Sequence, residues 1–154
     1  MANILEATRF ISDRAYDQRN QAGRPLLSIG VQAASLLVRV CKEEDQQLII
    51  AAMLHPFDEN SIPLSEIRQV FGVTVWDYVK HSRDDESLKI PAFQRLATAS
   101  LRKPVEAGRK IRVACVASLL SQPQTPEQNQ EHLQSISAFS HTVPELHALI
   151  QTFL

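Results

Sequence analysis

Apolar residues recur along most of this chain at intervals of three and four positions, the spacing of one face of an α-helix. The first segment shows it at Ile4, Leu5, Thr8 and Ile11. No convincing run alternates apolar and polar residues as a half-buried strand would, and only four glycines occur. The pattern predicts an all-α fold.

The hydrophobic spacing divides the chain into eight or nine helical segments. In chain order they cover about 4–18, a segment around 31–38, then 43–54, 61–72, 73–81, 91–103, 105–121, 126–140 and 144–153. Pro56 disfavours helical geometry at His55, so the third helix should end or kink there, and Gly72 should end the fourth. Without repeats or a shift of composition, 1–154 is predicted to be a single domain.

The helical phase also predicts which side chains form the core, because residues on the apolar face of each helix point inward. The predicted core residues are Leu37, Ile50, Met53, Leu54, Val79, Leu101, Val113 and Leu120. The last segment, 143–154, is apolar enough to pack on this core or to serve as a docking helix for a partner.

Composition and charge narrow the classes of partner. The chain of 154 residues is 44% apolar and 21% charged, with a net charge of −1. This gives no general attraction to nucleic acid or anionic lipid, and we expect neither as a partner. The start of the chain lacks the apolar core of a signal peptide, and Cys41 and Cys115 lie in apolar helical patterns. We therefore expect a cytoplasmic protein with reduced thiols.

Individual residues give little evidence of a metal-binding or catalytic function. His55, in AAMLHPFDEN, lies at the end of an apolar helix, where a histidine is more often a core residue than a metal ligand. The other histidines do not pair at i, i+3 or i, i+4, the spacing that places two imidazoles on one face. The acidic run Asp84, Asp85 and Glu86 could bind a cation, although such runs are usually solvated.

The order of motifs is more specific. QAGRPLLSIGVQAASLL, AAMLHPFDENSIPLSEIRQVFG, VKHSRDDESL and RKIRVACVASLL follow one another along the chain. This series resembles the HD-domain metallophosphohydrolases, and most of all the small alarmone hydrolases that remove pyrophosphate from ppGpp. The similarity runs from about Leu5 to Phe139 and includes TPEQNQEH. It implies a helical HD-type domain.

The resemblance also identifies departures at the metal site. In the family, a histidine stands where this chain has Ile29, a His-Asp pair stands at His55 and Pro56, and an aspartate stands at Cys115. One of the four ligands that the resemblance implies, His55, is therefore present. A lone imidazole does not displace the water shell of a divalent ion, so we expect no bound metal cofactor.

Other catalytic positions differ as well. The acid pair that handles the attacking water in the family corresponds to Glu59 and Asn60, which leaves Glu59 as a vestigial base. The family's Thr-Asp-Asp loop corresponds to Arg83 and the two aspartates after it, and a late asparagine corresponds to Leu119. The losses favour a catalytically degenerate protein.

Three functions stay open from the sequence. The first is a binding or regulatory module for a guanine nucleotide or a protein partner. The basic residues that could contact a nucleotide are Arg19, Arg24, Arg83, Lys110 and Arg112. The second is an active phosphohydrolase with a displaced Mn²⁺ site. That site would draw on His55, Asp58, Glu59 and Asp84 or Asp85. The third is a module that pairs with an active enzyme.

Overall fold

A computed structural model describes residues 3–83, 96, 102–122 and 125–154. Within these ranges the chain forms helices and no strand beyond an isolated antiparallel bridge between Arg19 and Pro25. The helices with defined bounds are α1 (Ile4–Ala15), α2 (Leu26–Arg39), α3 (Gln46–Leu54), α4 (Leu64–Phe71), α5 (Val73–Ser82), α6 (Lys103–Leu120), α7 (Pro126–Gln134) and α8 (Pro144–Thr152). A 3₁₀ turn, Ser140–Thr142, precedes α8. The predicted all-α fold is confirmed.

Helix α3 lies at the centre of the domain. Every residue from Leu48 to Leu54 is buried, so this short helix is apolar on all sides and contacts α1, α2, α5 and α6. The sequence pattern placed its start near residue 43, but the helix begins at Gln46. Asp45 sets that start, because its carboxylate accepts a hydrogen bond from the Gln47 N–H at 3.0 Å.

The long helix α6 completes the core by packing on α2 and α5. The predicted core residues Leu37, Ile50, Met53, Leu54, Val79, Val113 and Leu120 are all buried. Leu101 lies outside the described residues. None of the helices within the described ranges has the length and apolar character needed to cross a membrane.

Several predicted boundaries differ from the structure. The helix predicted over 126–140 ends at Gln134, and tight turns carry the chain onward to bury Ile136 and Phe139. The Ser135 hydroxyl donates to the His132 carbonyl at 2.6 Å, which favours a turn over further helix. Helix α6 begins at Lys103, two residues before the predicted start, and the helix predicted over 91–103 falls mostly outside the described residues.

The C-terminal segment packs on the core of its own chain. Val143, Leu146 and Ile150 are buried, and α8 contacts α6. The apolar face that could have served as a docking helix is therefore covered within the domain. Phe153 and Leu154 stay exposed at its end.

Helices α2 and α3 cross closely at Gly30. A Cβ atom added to Gly30 would lie 2.5 Å from the Met53 carbonyl oxygen, well inside van der Waals contact. The absence of a side chain at this one position lets the two backbones touch. The contact brings the first turns of α2 beside the C-terminal end of α3, where His55 lies.

Candidate functional site

A cavity of about 320 Å³ opens between the start of α2, the end of α3, the middle of α6 and helix α7. Its lining residues are Asn20, Gln21, Ala22, Leu26, Ile29, His55, Pro56, Cys115, Leu119, Gln128, Glu131 and His132. The four positions at which the resemblance implies metal ligands, Ile29, His55, Pro56 and Cys115, all belong to this set. The structure therefore brings these four residues to one cavity.

The end of α3 positions His55. The helix stops at Leu54, and the His55 N–H still donates to the Ala51 carbonyl at 2.9 Å. Pro56 has no N–H to extend the ladder, and the Phe57 N–H instead turns back to the Leu54 carbonyl at 3.2 Å. This turn directs the imidazole toward α5 and the cavity.

The His55 ring is bonded to a serine on α5. Its Nδ1 lies 2.9 Å from Ser82 Oγ, and that hydroxyl donates its proton to the Val79 carbonyl at 3.0 Å. A serine hydroxyl has one proton to donate, so Nδ1 must carry the hydrogen in the bond to Ser82. Burial lowers the pKa of His55 well below 6.5, and the positive charges of Arg112 and Arg83 lower that pKa further. The ring is therefore neutral near pH 7, with Nε2 as an acceptor.

Two arginines close the space behind His55. The buried Arg83 donates through Nη2 to the Leu54 carbonyl at 2.9 Å and through Nη1 to the Ile62 carbonyl at 2.8 Å. Arg112 donates to the Ser82 carbonyl at 2.9 Å. The bonds to Leu54 and Ser82 satisfy carbonyls at the C-terminal ends of α3 and α5, which a helix leaves without internal partners. Burial lowers the pKa of Arg83 to about 10, and the carboxylates of Glu59 and Asp58 partly oppose that shift.

The residues at the four ligand positions do not fit a divalent metal ion. Ile29 has no donor atom, and Pro56 offers neither a ligand nor an N–H. Burial raises the pKa of the Cys115 thiol to about 12, against a smaller opposite effect of Arg112, so the sulfur stays protonated. Within the described ranges no three His, Cys, Asp or Glu side chains are grouped as metal ligands. Asp84, Asp85 and Glu86 lie outside those ranges.

Glu59, the vestigial base, and Asp58, a residue of the displaced metal site, contact groups near the start of α4. Glu59 Oε2 accepts the Leu64 N–H at 2.9 Å, and it lies 4.0 Å from Arg83 Nη1. Its side chain is 64% exposed and is not among the residues that line the cavity. Asp58 Oδ1 accepts both the backbone N–H and the hydroxyl of Ser61, each at 2.9 Å. Both carboxylates thus order the turn before α4.

The basic residues predicted to contact a nucleotide bind protein groups. Arg19 donates to the Gly23 carbonyl at 2.8 Å, Arg24 to the Ser118 carbonyl at 2.7 Å, and Lys110 lies 3.1 Å from the Glu43 carboxylate. None of the five lines the cavity beside Ile29.

A second cavity of about 240 Å³ adjoins the first beneath α7, and Arg112 is part of its wall. The two cavities share His55, Cys115, Leu119, Glu131 and His132. The sequence interpretation missed the contribution of α7. The sequence feature that could have indicated this contribution is the spacing of Gln128 and His132. They are four residues apart, which places both on one face of α7.

The comparisons agree with the helical architecture. The family model described as HD domain matches residues 7–121 of this chain. A solved structure described as a metazoan ortholog of SpoT, which hydrolyzes ppGpp and plays a role in starvation responses, superimposes with a TM-score of 0.77. It shares 16% sequence identity, over 99% of this chain and 94% of the other. No curated protein sequence matches. The extent of the family match shows that this chain belongs to the HD domain family.

Proposed function

We propose that this chain is a catalytically degenerate HD-domain protein that acts as a binding or regulatory module. The proposal is carried by one observation. A cavity lies at the positions where the resemblance implies metal ligands, and among the described residues no three potential metal ligands are grouped there. Without a metal, neither a hydroxide nucleophile nor charge neutralisation of a phosphoryl group is available from that centre.

The side chains around the cavity support binding over hydrolysis. His55 is neutral, with one ring nitrogen bonded to Ser82, and it faces the fixed charges of Arg83 and Arg112. Positive charge near the imidazole opposes the approach of a divalent cation. Glu59, the remaining acid of the family's pair, serves as a cap for α4. These features favour a site that binds a ligand without hydrolysing it.

The test compares the parent protein with a restored site. For the parent we expect no stoichiometric Mn²⁺ by elemental analysis and no pyrophosphate release when it is incubated with ppGpp and Mn²⁺. The triple variant Ile29→His, Pro56→Asp, Cys115→Asp should gain Mn²⁺ binding, because it restores the ligands that the resemblance implies. Pro56→Asp alone should not, since two further ligands are still missing.

The triple variant has a characteristic stability profile. Without metal, two carboxylates and an imidazole in an apolar cavity should lower its melting temperature relative to the parent. Added Mn²⁺ should restore stability in proportion to its binding. Stoichiometric Mn²⁺ in the parent together with pyrophosphate release would instead establish an active phosphohydrolase with a displaced site, and the proposal would be wrong.

A further inference from the structure

The floor of the cavity is apolar where the family places charged ligands. Leu26, Ile29, Pro56, Cys115 and Leu119 surround it, and its volume of about 320 Å³ lies at the small end of the ~300–1,000 Å³ typical of ligand pockets. A surface of this kind gains free energy by burying an apolar ring. It offers no partner for an ionised group.

His55 contributes a hydrogen-bond acceptor to the cavity. Because Nδ1 of His55 donates to Ser82, the other ring nitrogen, Nε2, has a lone pair that needs an N–H or O–H donor. The lone pair is held in place by the Ser82 bond and by the end of α3. A ligand that buries it without supplying a donor loses the hydrogen bond that water would otherwise make.

The rim supplies donors. Asn20 Oδ1 accepts the Arg24 N–H at 2.9 Å, and Gln128 Oε1 accepts the Thr125 N–H at 3.1 Å in the cap of α7. Because the carbonyl oxygen of each amide accepts a backbone N–H, the NH₂ group of each amide is the part that can donate to a ligand. A ligand carbonyl or ring nitrogen is the matching acceptor.

Charge around the cavity disfavours phosphate. Among its described lining residues there is no lysine or arginine, and Glu131 adds a carboxylate. Recognition of a phosphate or pyrophosphate relies on several cationic donors. Among the described residues in the wall of the adjoining cavity, the guanidinium is that of Arg112, which already donates to the Ser82 carbonyl.

From these contacts we infer that the cavity binds an uncharged nitrogen heterocycle that carries an N–H donor, and that it binds phosphorylated nucleotides more weakly. The N–H points to His55 Nε2, the ring lies on the floor at Ile29 and Leu119, and an acceptor on the ring faces Asn20 and Gln128. This inference rests on the proposed binding role and specifies the class of ligand.

The direct test uses a matched pair of small heterocycles. Benzimidazole carries a ring N–H, whereas 1-methylbenzimidazole has a methyl group there and is otherwise the same. Each is titrated into ¹⁵N-labelled protein at pH 7.5, and the affinity is taken from the amide shifts of residues around the cavity. Benzimidazole should bind about tenfold more tightly, the effect of one hydrogen bond to a buried acceptor. Pyrophosphate and ppGpp are titrated in parallel and should bind more weakly.

Two variants locate the site. His55→Phe keeps a ring but removes the acceptor, so the two heterocycles should bind with equal affinity. Leu26→Trp fills the cavity from the first turn of α2 and should abolish binding of both. Leu5→Trp is its control, because Leu5 is 80% exposed on α1 and the same substitution there should leave binding unchanged. Melting curves of all three check that the fold persists.

The outcomes separate this inference from the proposed function. Equal affinity of the parent for the two heterocycles, or no shift of cavity resonances with either, would overturn the inference. Tighter binding of ppGpp or pyrophosphate without hydrolysis would also overturn it, yet would leave the non-hydrolytic binding role intact. Release of pyrophosphate from ppGpp with bound Mn²⁺ would overturn the proposed function itself.

Discussion

The buried guanidinium of Arg83 offers a direct test of how the C-terminal end of α3, beside the cavity, is stabilised. Its side chain is 6% exposed and donates to the carbonyls of Leu54 and Ile62, which lie at the end of α3 and before α4. Arg83→Met keeps a long apolar stem and removes both bonds along with the charge. Arg83→Lys keeps the charge but cannot span two carbonyls as the fork of a guanidinium does.

The magnitude follows from the two bonds. A hydrogen bond from a charged donor contributes about 1.5–3 kcal/mol to the free energy of unfolding. The Leu54 carbonyl keeps the Phe57 N–H as a second partner. The free energy lost with the Arg83 bond to this carbonyl is therefore at the low end of that range. Arg83→Met should therefore lower the free energy of unfolding by about 3 kcal/mol. At a few degrees per kcal/mol for a chain of this length, the melting temperature should fall by roughly 10 °C.

The effect of the positive charge of Arg83 can be measured separately, through the pKa of His55. Arg83 is one of the positive charges that lower this pKa, after burial and Arg112. Arg83→Met should raise the pKa of His55 toward 6.5, whereas Arg83→Lys should leave the pKa low because a cation remains. Both variants therefore lose hydrogen bonds, but only Arg83→Met loses the positive charge.

Urea unfolding at pH 7.5 measures the first effect, and the imidazole resonances of His55 followed against pH measure the second. A Met variant within about 0.5 kcal/mol of the parent would refute the assigned role of Arg83 in holding the two carbonyls, since surface substitutions alone reach that size. An equal rise of the His55 pKa in the Met and Lys variants would refute the electrostatic argument.

Three further predictions concern packing, pH and thiol reactivity. Gly30→Ala should lower the free energy of unfolding by about 1–3 kcal/mol in urea, because the new Cβ would clash with the Met53 carbonyl at 2.5 Å. Stability should fall as the pH drops from about 6.5 toward the lower folded pKa of His55, by at most about 1.4 kcal/mol per pH unit from this group. The unfolded imidazole takes up the proton more readily, so His55→Phe should flatten that slope, and an unchanged slope would contradict the pKa argument. Burial raises the pKa of Cys115 to about 12 and that of Cys41 to about 11, so Ellman's reagent at pH 8 should label both in urea and neither in the native protein. Rapid labelling of native Cys115 would show that the cavity floor opens.

Much of the fold could be predicted from local properties of the sequence. The spacing of apolar residues identified the helices, Pro56 ended α3, and Gly72, at φ 95°, separates α4 from α5. These features depend on residues a few positions apart, so they are readable without the tertiary structure. The same holds for the missing donors at Ile29 and Pro56, because a side chain without a ligand atom cannot coordinate metal in any fold.

The tertiary structure decided which partners the charged side chains contact. The sequence offered Arg83 as a candidate for ligand contact and Glu59 as a vestigial base, and in the structure both contact helix ends whose carbonyls and N–H groups need partners. The rim of the cavity comes from Asn20 before α2 and from Gln128 and His132 on α7, about a hundred residues apart along the chain. Which of these groups meet depends on how the helices pack, because hydrogen-bond partners are selected by distance in space and not by spacing in sequence.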